Sequence, residues 1–123
     1  MWLFFFLFKE MKKFNSLKKN SDFKLVFGER KSVGNKYLVM YIKDNNLESN
    51  RVGIQVSKKV GNSVVRHRIT RLIRESVRLN MEKFRQGLDI VIVAKPSAKG
   101  RSYQEIESAL LHLGKISRIL SEN

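Results

Sequence analysis

The chain has no cysteine, a single proline, two histidines and few acids. Without cysteine it can form no disulfide, no thiolate metal site and no thiol nucleophile, a composition compatible with a reducing cytoplasm, where the chain is expected to reside. His67 and His112 stand 45 positions apart, in no ligand spacing, so a metal site built from side chains is not expected. The lone proline, Pro96, marks no linker, and no internal repeat or low-complexity tract divides the sequence. A length of 123 residues suits one compact domain and is too short for two. Long hydrophobic runs are missing as well. Trp2 to Phe8 is apolar over seven residues, far short of the roughly 20 of a membrane helix. It has no basic segment before it and no small-residue cleavage site after it, so it makes a poor signal peptide. A natural start is expected at Met11, with residues 1–10 an extension that the fold does not need and residues 11–123 the working domain. The competing reading is a hydrophobic tail docked on the core.

Acids are the shortage with the largest consequence. Asp and Glu number 11 against 25 Lys and Arg, a net charge of +14, while 42% hydrophobic residues still allow a globular core. Such an excess costs folding energy through self-repulsion, and its usual use is to bind a polyanion. Nucleic acid is the leading candidate and an anionic membrane surface the second.

Periodicity gives an order of helix, strand, strand, helix, strand, helix, which in so short a chain suggests an α+β fold with one small mixed sheet covered by helices. "NSDFKLVFGER" reads as a short helix capped by Asn20 or Ser21, with Phe23, Val26 and Phe27 at helical spacing and Gly28 at its end. "KSVGNK" reads as a turn-rich connection. "KYLVMYIK", Lys36 to Lys43, suits a strand buried on both faces, with Tyr37, Val39 and Tyr41 sharing one of them. "RVGIQVS" alternates strictly, placing Val52, Ile54 and Val56 together, and "LDIVIVAK", Leu88 to Lys95, is a third strand. The closing helix opens with a capping box, Ser102 with Glu105, and carries the stripe Ile106, Ala109, Leu110, Leu113, Ile116, Leu120.

The charge gathers in "GNSVVRHRITRLIRESVR", Gly61 to Arg78. Arg66, His67, Arg68, Arg71, Arg74 and Arg78 fall within thirteen residues, and Glu75 is the only acid among them. On a helical wheel Val65, Ile69, Leu72, Ile73, Ser76 and Leu79 share one side. His67, Arg71, Arg74 and Arg78 take the other, flanked by Arg66 and Arg68. Asn62 is the expected N-cap. Arg66 and Arg68 oppose the helix dipole, and the arginines at i,i+3 and i,i+4 repel by roughly a few tenths of a kcal/mol per pair. Ordinary solvated faces mix signs, as the closing helix does; this one does not. Arginine's planar fork suits phosphate, so the face is expected to meet a nucleic-acid backbone.

The stretch "RVGIQVSKKVGNSVVRHRITRLIRE" resembles the bacterial ribonuclease P protein component. The resemblance rests on the approach Ser57, Lys58, Lys59, Gly61 and Asn62, the basic motif Arg66, His67 and Arg68, and the following Arg71 and Arg74. It extends from about Met11 to Leu120, through "LKKNSDFKLVF" and "IVIVAKP". His67 stands where the family usually has asparagine and Thr70 where lysine is common, which leaves the role and charge of position 67 open. The resemblance implies an αββαβα fold with a left-handed crossover. It also implies a subunit that assists a catalytic RNA in removing the 5′ leader of precursor tRNA. Lys58, Lys59, Asn62, Arg66, His67, Arg68, Arg71 and Arg74 would bind that RNA, and Phe23, Phe27 and Tyr41 would hold the leader. Magnesium would be held by the RNA and not by the protein, with neither DNA nor membrane as partner. Aromatics beside cations suit sequence-tolerant binding of single strands, although core packing is the competing reading for these rings and the preferred one for Tyr37. Lys12, Lys13, Lys18 and Lys19 either add phosphate contacts or solvate the terminus.

Protein-borne catalysis is not expected. Glu105 and Glu107 diverge on their helix, and no phosphate-cradling glycine loop or acidic cluster for two metals is present. His67 between arginines hints at a metal-independent ribonuclease, yet its only possible histidine partner, His112, lies on the scaffold helix. Two further classes stay open: a general RNA-binding module such as a ribosomal protein, and a DNA-binding regulator, for which no helix-turn-helix partner is visible.

Overall fold

The structure, a computed structural model, describes residues 14–121. The expectations for residues 1–10, Met11, Lys12 and Lys13 lie outside them. The elements in order are β1 (Asn15–Ser16), α1 (Asn20–Gly28), β2 (Ser32–Gly34), β3 (Leu38–Asp44), β4 (Arg51–Gln55), α2 (Ser63–Asn80), β5 (Leu88–Ala94) and α3 (Tyr103–Ile116), with single 3-10 turns at Met81–Lys83 and Pro96–Ala98. This is the expected α+β domain, enlarged by two short edge strands.

One mixed sheet runs β1-β4-β5-β3-β2. β3 lies antiparallel to β5 with Met40 opposite Ile92, and β4 lies parallel to β5 with Ile54 opposite Ile92. Parallel neighbours need a crossover, and α2 supplies it between β4 and β5. The segment read as a turn-rich connection contains β2, which pairs Val33 with Met40. Three residues are too few to show alternation, so β2 exists through its partner's hydrogen bonds.

Both faces of the sheet are covered. On one, Leu38, Met40, Ile42, Ile90 and Ile92 pack against Ile69 and Ile73 of α2 and Ile106, Leu110 and Leu113 of α3, all at most 1% exposed. Removing each such side chain from water stabilises the fold by about 1.5–3 kcal/mol. On the other face α1 lays Val26 against Leu17 and Val91, with Phe23, Phe27, Tyr41 and Val93 partly buried around them.

Several local expectations need correction. The N-cap of α1 is Lys19, with no side-chain cap bond, so neither Asn20 nor Ser21 caps it; the left-handed residue after the helix is Arg30, φ 56°, not Gly28. Tyr37 precedes β3 and packs on the α2–α3 side, while Tyr41 faces α1, so the two do not share a face. The closing helix stops at Ile116, where the Ser117 hydroxyl donates to Leu113 O at 2.7 Å and Arg118 turns left-handed. Leu120 lies beyond it, packed so close to Gly114 that a Cβ there would meet Leu120 Cδ2 at 2.9 Å. Ile116 is exposed and Ile119 fills the core instead.

An ion pair ties α1 to the sheet. Arg51 donates from Nε and Nη2 to the two oxygens of Asp89, at 2.9 and 2.6 Å, and its Nη1 lies 4.0 Å from Asp22 of α1. Burial alone would raise the Asp89 carboxyl, but hydrogen bonds from Arg51 and Asn45 outweigh it and hold the group below the usual range. Its stabilisation is therefore complete above the unfolded value of about 3.9 and disappears as pH falls through the folded value. Urea unfolding of Arg51→Gln is expected to show a loss of about 1.5–3 kcal/mol at pH 6. The difference from the parent should shrink below about pH 4; a constant difference would contradict the linkage.

Candidate nucleic-acid interface

The site begins at the turn before α2. Val60 is 3% exposed and its N–H donates to Ser57 O at 3.1 Å, a tight turn that leaves Lys58 and Lys59 in solvent beside the helix N-terminus. Asn62 caps the helix as expected, its side chain accepting from Val65 N at 3.0 Å. Asn62→Ala is expected to lower stability by about 1 kcal/mol in urea unfolding. The first turn of α2 carries no acid. Its remaining free N–H groups, with Lys58, Lys59 and Arg66 nearby, favour an anion there.

Along α2 the apolar stripe is turned slightly from the wheel: Ile69, Ile73, Ser76, Val77 and Asn80 are buried, and Leu79 is exposed. The cause is α3. Asn80 Nδ2 donates to Glu107 at 2.9 Å and Tyr103 OH donates to the same carboxylate at 2.8 Å, which draws the end of α2 inward. Arg78 follows it. Its side chain is only 14% exposed and is paired with Glu75, so Arg78 does not belong to the outward face.

His67, Arg68, Arg71 and Arg74 do lie outward and exposed, with Arg66 half-buried. None of these arginines is within ion-pair distance of a carboxylate among the described residues. His67 and Arg71 form a crest with a hollow on either side. The hollow toward β4, about 720 Å³, takes Arg66 and Arg74, walled by Ile54, Gln55 and Val56. The other, about 540 Å³, takes Arg68 beside Val64 and Leu72. Arg66 Nε is buried without a hydrogen-bond partner among the described residues, and the Thr70 hydroxyl donates to Arg66 O at 2.9 Å. Arg68 Nη2 donates to Arg101 O at 3.1 Å, the only direct bond from this face to the loop before α3 among the described residues.

Beyond Arg74 lies the aromatic site. A small cavity of about 90 Å³ joins Arg74 to Phe14, Phe23, Gly53 and Ile54. The Phe23 ring sits on Gly53, where a Cβ would come within 2.5 Å of it. Phe27 meets Tyr41 edge to face, centroids 4.7 Å apart and planes at 89°. The structure thus gathers Phe23, Phe27 and Tyr41 on the α1 side of the sheet and the cations on α2, with Arg74 between. Gln55, Val56 and Ser63, which line the groove, and Arg101 were not read from the sequence as site residues; no local pattern marks them as such, because only the fold brings them to the helix.

A small α+β domain with one long helix presenting guanidinium groups that have no carboxylate partner among the described residues has the build of a polyanion-binding protein. Comparison with known proteins narrows the class. A family model described as Ribonuclease P matches residues 11–117. The chain is 59% identical over 108 residues to the ribonuclease P protein component of Lachnoclostridium phytofermentans, covering 88% of this chain and 93% of that one. Its structure is similar to that of the Staphylococcus aureus RNase P protein, TM-score 0.80 at 34% identity, covering 89% and 100% of the two chains. The Thermotoga maritima RNase P protein matches with TM-score 0.76 at 31% identity, covering 87% and 99%. The chain belongs to the ribonuclease P protein component family.

Proposed function

We propose that this chain is the protein subunit of a ribonuclease P, binding the catalytic RNA through α2 and the 5′ leader of precursor tRNA through the aromatic site. The observation that carries the reading is the set of exposed arginines, Arg68, Arg71 and Arg74, left without carboxylate partners among the described residues on a helix that they destabilise. A phosphate backbone relieves their mutual repulsion. Lys58, Lys59, Asn62, Arg66 and His67 extend the same contact toward the helix N-terminus. Phe23, Phe27 and Tyr41 stack or wall unpaired leader bases, while Arg74 reaches both regions.

In this reading the protein performs no bond cleavage. Glu105 is used as a helix cap and Glu107 holds Asn80 and Tyr103. Among the described residues no three His, Asp or Glu side chains gather to hold a cation. Magnesium ions held by the RNA would supply the activated water, and the protein lowers phosphate repulsion and adds affinity for the substrate. No helix among the described residues is long and apolar enough to cross a membrane, and the reading places the complex in the cytoplasm with precursor tRNA.

Reconstitution tests it. Added to a bacterial ribonuclease P RNA at low magnesium, the chain should restore removal of the leader, and it should cut nothing when the RNA is omitted. Binding without stimulation would favour a general RNA-binding module, and cleavage by the chain alone would overturn the reading.

A further inference from the structure

A further hollow, about 600 Å³, opens between the β2–β3 connection and α3. This volume falls within the roughly 300–1,000 Å³ of small-ligand sites. Tyr37 and Ala109 contribute apolar wall, and Gln104, Ser108 and His112 are exposed along it. Three cations surround the connection. Lys36 Nζ lies 5.6 Å and Arg101 Cζ 5.4 Å from the Tyr37 ring centroid, and Lys95 Nζ donates to Asn35 O at 2.7 Å.

The polar groups in this hollow are fixed in direction. Asn35 Oδ1 accepts from the N–H groups of Tyr37 and Leu38, at 3.2 and 3.0 Å, so its Nδ2 is the donor. That nitrogen donates to Ala109 O at 2.9 Å and lies 3.2 Å from His112 Nδ1, which must then accept. The neutral ring therefore carries its proton on Nε2, leaving a donor for a ligand. Glu105 holds the aromatic wall in place: Tyr37 OH donates to it at 3.3 Å, and Arg101 is paired with it at 3.5 Å. Arg101 Nε nevertheless remains buried without a partner among the described residues.

We infer that this hollow receives an unpaired nucleotide of the RNA held on α2, its base against Tyr37 and Ala109 and its phosphate near Arg101 and Lys36; the inference rests on the RNA-binding reading of α2. Continuity argues for RNA as the occupant. Arg68 of the outward face bonds the carbonyl of Arg101, whose own guanidinium lies 5.4 Å from the Tyr37 ring centroid, so the α2 face and the rim of the hollow meet at Arg101. A flat apolar wall, polar groups at its edge and cations at the rim are what a base with its phosphate requires.

The two histidines provide separate reporters, His67 on the crest of α2 and His112 in the hollow. The full chain would be treated with diethylpyrocarbonate with and without a bacterial ribonuclease P RNA, and modification at each ring quantified by mass spectrometry. Protection of both rings, at least threefold each, is the expected result. Lys36→Glu and Arg101→Glu, both at exposed or half-exposed positions, should each return His112 to its free rate while His67 stays protected. Protection of His67 alone would overturn this inference and leave the α2 reading standing. Protection of neither ring would overturn both. Protection of His112 that persists in both variants would remove the cations, and with them the inference.

Discussion

Reversing Arg68 and Arg71 to glutamate is expected to weaken binding to a bacterial ribonuclease P RNA by roughly 10–30-fold at about 0.15 M salt, from lost counterion release alone. Each phosphate contact contributes about 0.7–0.9 to the slope of log affinity against log salt, so the slope should flatten by about 1.4–1.8. Stability should change little. Both side chains are exposed and neither is paired with a carboxylate among the described residues, so their removal breaks no ion pair there. Glutamate at position 68 also sits on the N-terminal half of α2, where negative charge is favoured. Glutamates at 68 and 71 remain a like-charge pair, and the one at 71 faces Glu75 at i,i+4, while its pair with Arg74 becomes favourable. At about a few tenths of a kcal/mol each these changes nearly cancel, and the bond from Arg68 to Arg101 O is lost. A variant that folds as well as its parent and binds RNA far less would assign these arginines to the ligand. An unchanged salt slope would remove phosphate contact from this face.

Phe23→Leu combined with Phe27→Leu is expected to weaken precursor tRNA binding by roughly 5–150-fold per ring, following the about 1–3 kcal/mol that a stacked base contributes. Mature tRNA, lacking the leader, should bind nearly as before. Leucine is chosen over alanine because both rings are partly buried, around Leu17, Val26 and Val91. A change of shape at such positions costs about 1–3 kcal/mol, against about 3–5 for truncation of a core phenylalanine. Urea unfolding would measure that loss separately from binding. Equal losses for precursor and mature tRNA would assign the rings to packing alone, the competing reading that their contacts with Tyr41 and Gly53 also allow.

The parts of this molecule that were legible in the sequence are those fixed by short-range patterns. The capping box of Ser102 and Glu105, the Asn62 cap and the buried alternation of Leu38, Met40 and Ile42 all depend on neighbours a few residues apart. The illegible parts depend on partners far along the chain. β2 is too short to signal itself and is defined by β3. Leu79 and Val77 exchange places because Glu107, on another helix, draws Asn80 inward. Arg78 is a local exception: it has the spacing of the outward arginines but pairs with Glu75, three residues before it on the same helix. Tyr37 and Tyr41 look equivalent at a spacing of four residues, but the strand starts only at Leu38, and the two rings finish on opposite sides of the sheet. The cationic face was visible because charge excess needs no tertiary partner to be counted; the groove beneath it was not.

Arg74 lines the groove against β4 and also the cavity under Phe23. One guanidinium thus stands at the seam of the two regions assigned to different RNAs. If occupation of the groove fixes that side chain, the cavity is preorganised for its own occupant at no further entropic cost. Linkage then requires the converse, with the second RNA tightening the grip on the first by an equal factor.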